Sequence, residues 1–196
     1  MEVLRLRYGF CFRLSNMLGP SHGMLPTKGQ KFLQWVVDCC DKRLSVGLRV
    51  DEMRSFVYVS DVVSIFLQCI CDHFCPTPVP GSPKSPSSKR GCIFNIGGPV
   101  GHSRLEVARE VAKRKQISLV VHNDEATALA AGKAAASRAP HEWHVFKQSN
   151  AESAAASGIR NPRDVTMDSG STELVFGIRF ADLRSIVERV VPGGED

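Results

Sequence analysis

Apolar positions recur along the chain with two periods, and their alternation sets the expected architecture. Residues 10–14 (FCFRL) form a β-rich run, and residues 2–8 read as the tail of a helix that Gly9 ends. Phe32, Trp35, Val36, Cys39 and Cys40 fall on one face of a helix, a stripe suited to packing on a sheet. Residues 54–60 (RSFVYVS) are β-branched and aromatic, which predicts a strand. Asp61 stands where it can cap a following helix that carries Val62, Ile65, Phe66, Cys69 and Ile70 on one face. Residues 92–96 (CIFNI) predict the next strand, and Ser103 with Glu106 forms a capping-box pattern opening a helix with Leu105, Ala108, Val111 and Ala112 inward. A strand over 117–121 follows. Leu183, Ile186, Val187, Val190 and Val191 then make a last helical face after a turn at Gly177 and Ile178.

Repeated strand-to-helix steps place the chain in the α/β class. Residues 1–121 carry most of these steps, interrupted at 75–91 by a Pro-, Ser- and Lys-rich stretch that reads as an exposed loop insertion. Residues 122–159 are Ala-rich and polar with weak periodicity, so little fixed structure is expected there beyond one helix. Residues 160–196 form a closing block.

With 196 residues, 43% hydrophobic and 23% charged, the chain can bury one sizeable core. No apolar run approaches the roughly 20 residues that cross a bilayer, and the first nine residues mix charge with apolar side chains, so a cytoplasmic protein without a membrane partner is expected. The net charge of +5 is spread along the chain without interleaved aromatics, which argues against nucleic acid but suits an anionic small molecule. Seven cysteines, an odd number mostly inside apolar segments, read as reduced thiols. Cys69, Cys71, His73 and Cys75 lack the paired C-x-x-C spacing of a zinc site, so a helix end with buried thiols is the better reading and no metal is expected.

Two motifs touch on chemistry. Gly97-Gly98-Pro99-Val100-Gly101 follows a strand and precedes a helix, like a dinucleotide fingerprint. Ile96, however, stands where the fingerprint needs its first glycine, and Pro99 removes an amide from the part that would hold pyrophosphate, so the stretch reads as a structural turn. Ketone reduction with a nicotinamide would call for a tyrosine acid and a lysine one helical turn on. The only tyrosines, Tyr8 and Tyr58, are followed four residues later by Phe12 and Val62, so no catalytic residue of that kind is present. Ser15 and Asn16 lie at the end of a strand, where open α/β sheets bind ligands, and Arg54 begins another. On residue type alone, Ser15 and Asn16 make local turn hydrogen bonds and Arg54 a surface ion pair.

Three blocks change that balance: FRLSNMLGP (12–20), RSFVYVSDVV (54–63) and FNIGGP (94–99) resemble, in order and spacing, consecutive blocks of the extended short-chain dehydrogenases/reductases. KFLQWVVDCCDKRL before the second block and DVTMDSGSTELVFGIRF near the end resemble the dTDP-4-dehydrorhamnose reductase group in particular. The resemblance implies the C-terminal part of a Rossmann-like doubly wound fold with its substrate-binding region, without the N-terminal cofactor-binding half. It implies NAD or NADP as cofactor of the complete fold, with none held tightly by this chain alone, and a nucleotide-sugar or similar small molecule as ligand. Ser15 and Asn16 are then expected near the nicotinamide end of the cofactor, and Asn16 and Arg54 against the substrate. Leu18 departs from the tyrosine common in that group. The alternative implied by the same blocks is a non-catalytic subunit similar to the regulatory β-subunit of methionine adenosyltransferase, with a protein partner.

Overall fold

Parallel strand pairs joined by helices organise the chain. The structure is a computed structural model and describes residues 10–20, 31–74, 92–135, 141–149 and 164–193. The elements are β1 (Phe10–Leu14), β2 (Asn16–Leu18), α1 (Phe32–Asp41), β3 (Val46–Arg49), β4 (Met53–Tyr58), α2 (Val59–Phe74), β5 (Cys92–Ile96), β6 (Gly101–His102), α3 (Arg104–Arg114), β7 (Ser118–His122), α4 (Glu125–Ala135), β8 (Glu142–Gln148), β9 (Asp164–Val165), α5 (Gly170–Phe176) and α6 (Leu183–Val190). The fold class is α/β, as expected. The expected helix tail over 2–8 and the loop over 75–91 lie outside the described residues.

Among the described residues β1 pairs with β5 in parallel, β2 with β4 in parallel, and β3, β8 and β7 form a parallel trio with β8 in the centre. β4 is also flanked by β6, antiparallel, and β9, parallel. Because side chains alternate along a strand, β4 serves two cores. Phe56 joins a cluster built from α1, α3, α6, Leu48, Trp143 and Val145, while Val57 joins a second cluster with Val62, Ile65, Cys69, Phe94 and Phe176. The closing helix α6 buries Leu183, Ile186 and Val187 in the first of these, with Asp182 as its N-cap.

Two expectations are corrected. Residues 142–148 form β8, whose Trp143 and Val145 are fully buried between β3 and β7, so the Ala-rich region holds more than the one helix α4. The alternation of Glu142, Trp143, His144 and Val145 is short, and pairing on both edges buries His144 along with Trp143 and Val145. Asp61 does not cap α2, which starts at Val59; its carboxylate accepts the Ala181 N–H at 3.0 Å and ties the helix to the chain before α6. The capping box at Ser103 and Glu106 is present in full. No helix among the described residues is long and apolar enough to cross a membrane.

Candidate ligand-binding site

The sheet brings two groups of polar residues to its strand ends. At the carboxyl end of the β1–β5 pair, the Ser15 N–H donates to the Ile96 carbonyl at 3.0 Å, extending the pairing by one bond. The Ser15 hydroxyl beside it is buried and has no hydrogen-bond partner among the described residues. A buried hydroxyl without a partner costs free energy. Asn16, at the start of β2, is exposed.

The glycine turn stands next to Ser15 but is closed by packing. The Gly97 N–H donates to Ser169 Oγ at 2.8 Å. A Cβ on Gly98 would collide with the Phe56 carbonyl, and one on Gly101 would collide with the Thr166 side chain. These glycines let the turn lie against β4 and the 166–169 segment. With the Gly97 amide taken by Ser169 and the glycines packed this closely, the stretch is built as a structural turn.

The second group centres on Glu52, in the short link between β3 and β4. Its side chain is fully buried and carries three guanidiniums: Arg49 at 2.9 Å, Arg54 through both Nε and a terminal nitrogen, and Arg104 at 3.9 Å. Each arginine comes from a different element. Arg49 ends β3, Arg54 is the second residue of β4, and Arg104 is the first residue of α3, placed there by the Ser103 cap. The three side chains remain 22%, 29% and 37% exposed, so each keeps donors facing solvent while one carboxylate sits beneath them. Three positive charges over one negative leave two in surplus. Burial pushes the Glu52 carboxyl upward, but hydrogen bonds from Arg49 and Arg54 and the charges of Arg54 and Arg104 outweigh it and hold the group below the usual carboxylate range. Burial also pulls the Arg104 guanidinium below its ordinary range; Glu52 opposes this, and repulsion from Arg49 and Arg54 adds to it.

Aromatic rings floor this cluster. The Arg104 guanidinium lies 5.3 Å from the centroid of Phe32, which stacks on Phe56 at 6.1 Å and 15°. Asn16 pairs with Phe56 across β2 and β4, which puts Asn16 and Arg54 on the same face, one strand and two residues apart. Diagonal neighbours of this kind sit roughly 7–8 Å apart. The structure therefore sets Arg54 and Asn16 on one face, and Arg54 is ion-paired, though to a buried carboxylate and not to a surface one.

Sequence reasoning singled out Arg54 and missed Arg49, Glu52 and Arg104. The spacing Arg49-x-x-Glu52-x-Arg54 was visible, but a mixed-charge link reads as solvated surface, and Arg104 arrives from 50 residues away. An open groove of about 320 Å³ lies nearby, lined by His102, Glu106, Arg109, Glu110, Asp182 and Arg184 among others. Its three carboxylates outnumber its two arginines, so it lacks the positive surplus that marks the arginine cluster. Among the described residues no group of three His, Cys, Asp or Glu is placed to hold a metal.

No protein-family model matches the chain, and no curated protein sequence matches it. Solved structures do. The NADP complex of dTDP-4-dehydrorhamnose reductase from Bacillus anthracis superposes with a TM-score of 0.57 at 15% identity, over 92% of this chain and 47% of that one. UDP-glucose 4-epimerase from Thermotoga maritima, solved with UDP-glucose, gives 0.54 at 13% identity, over 93% and 44%. The NAD complex of dTDP-glucose 4,6-dehydratase from Bacillus anthracis gives 0.53 at 14% identity, over 93% and 43%. The chain shares their Rossmann-like fold. It spans just under half the length of these structures, and at such identities the likeness concerns the fold.

Proposed function

We propose that this chain forms the nucleotide-sugar-binding part of an NAD(P)-dependent reductase or epimerase-like protein of the dTDP-4-dehydrorhamnose reductase kind. The observation that carries the reading is the arginine cluster: three partly exposed guanidiniums with two surplus charges, floored by Phe32 and Phe56, on the sheet face that also bears Asn16. A guanidinium fork matches the oxygens of a phosphate in geometry and charge. Arg54 and Asn16 are the substrate-side residues, and the Ser15 hydroxyl, without a hydrogen-bond partner among the described residues, faces the nicotinamide end of a cofactor together with Asn16. NAD or NADP supplies hydride transfer in the complete fold. With the glycine turn closed and neither tyrosine followed by lysine four residues on, this chain alone holds the cofactor weakly and does not turn over.

Titration calorimetry of the purified chain with UDP-glucose and with dTDP tests the reading. Saturable binding is expected, weakened tenfold or more by Arg54→Ala, on the order of the 1.5–3 kcal/mol carried by hydrogen bonds to charged groups. Absence of binding by the wild-type chain, or an Arg54→Ala variant that binds as tightly, would remove the basis of the proposal.

A further inference from the structure

The anion site contains a residue of its own sign at its centre. Glu52 is fully buried, and the cluster's direct contacts run through it: Arg49 to one carboxylate oxygen, Arg54 to the other, and Arg104 at the longer distance of 3.9 Å to the first. Without it, three like charges from three separate elements would face one another across a partly desolvated space. Guanidiniums on long stems would then swing into solvent, since each loses side-chain entropy only when something holds it. The carboxylate has no outlet to water, and the three guanidiniums are the groups that meet it. A buried ion pair is often no more stabilising than its hydrophobic replacement.

We infer that Glu52 is a positioning residue of the anion site: it holds Arg54, Arg49 and Arg104 in one preformed array, so that removing its negative charge weakens the binding of a diphosphate. The inference rests on the proposed ligand class. Its sign sets it apart from plain electrostatics. Neutralising Glu52 raises the surplus from two positive charges to three, so the field alone predicts tighter anion binding. Loss of preorganisation predicts the reverse, because the binding energy must then also order three mobile side chains. A residue with only a structural role would lower stability and leave affinity where it was.

Glu52→Gln and Glu52→Asp decide between these outcomes in the full chain, with inorganic pyrophosphate and UDP as probes in titration calorimetry and far-UV circular dichroism as a check on folding. The expected result is a loss of tenfold or more in affinity for both probes in Glu52→Gln, on the scale of a hydrogen bond to a charged group. Glu52→Asp should fall between the two, because it keeps the charge on a shorter stem. Unchanged or tighter binding by folded Glu52→Gln would overturn the inference and leave the ligand class standing. Failure of the wild-type chain to bind either probe would overturn both. A ligand-free readout covers the case in which Glu52→Gln does not fold. In wild-type protein the Arg54 Nε–H, which donates to Glu52, should give a protected nitrogen-15 signal that exchanges more slowly with water than that of the exposed Arg13. Equal exchange at the two sites would also overturn the inference.

Discussion

Replacing Trp143 tests the part of the fold least legible in the sequence. Its side chain is fully buried in the central strand β8, and its indole N–H donates to the Leu44 carbonyl at 2.9 Å. Trp143→Ala removes a large aromatic from a packed core, at about 3–5 kcal/mol. It also deprives the Leu44 carbonyl of its donor, which adds about 1 kcal/mol or more if no water enters. That total rivals the 5–15 kcal/mol that typically separates folded from unfolded protein, so the variant is expected to be largely unfolded at 37 °C. Trp143→Phe is the graded version: it keeps a ring in the core, loses the hydrogen bond and part of the volume, and should cost about 1–3 kcal/mol. With a slope of about 2 kcal/mol per molar urea, the midpoint of urea unfolding followed by far-UV circular dichroism should fall by roughly 0.5–1.5 M. Because the chain has two tryptophans, a Trp35→Phe background isolates the second signal, and its emission should be blue-shifted and shielded from iodide. Midpoints untouched by both Trp143 substitutions, or emission typical of a solvated indole, would refute the placement of β8 at the centre of its sheet.

Two further outcomes follow from the charges and thiols. The Glu52 carboxyl is held below its ordinary value of 4.5 in the folded chain, so its contribution to stability is complete above that pH and is lost as pH falls through the folded value. Urea midpoints should drop on acidification below about pH 4.5 and do so less steeply in Glu52→Gln; parallel slopes in the two proteins would count against the buried ion cluster. Burial pushes the Cys40 thiol up to about 11 and raises Cys39 as well, while Cys71 is exposed on α2. Alkylation at pH 8 followed by peptide mass spectrometry should therefore label Cys71 in the native chain and Cys39 and Cys40 only after unfolding. Labelling of Cys40 at the rate of Cys71 would show that α1 is not packed as described.

Local signals were enough for much of this molecule. The apolar stripe of Phe32, Val36, Cys39 and Cys40, the β-branched run ending at Tyr58, and the Ser103–Glu106 capping box each name their element through contacts within a few residues. The interrupted glycine pattern at 97–101 was also readable as a turn, because Pro99 and Ile96 stand where a phosphate loop needs an amide and a glycine. Only the tertiary structure decided the rest. β8 lies at the centre of its sheet because β3 and β7 pair with it on both sides, whereas a short alternation such as Glu142 to Val145 announces at most a half-buried strand. Asp61, by its residue type a cap for its own helix, instead accepts an N–H from a residue 120 positions away. Glu52 and its arginines carry the same lesson furthest. Charge in a short link between strands normally faces water, and nothing within six residues says that Arg104 will come down over Phe32 and close the site. Burial is a property of what packs against a residue, so the sequence determined which groups carry charge, and the packing of α3 on β3 determined that four of them lie together.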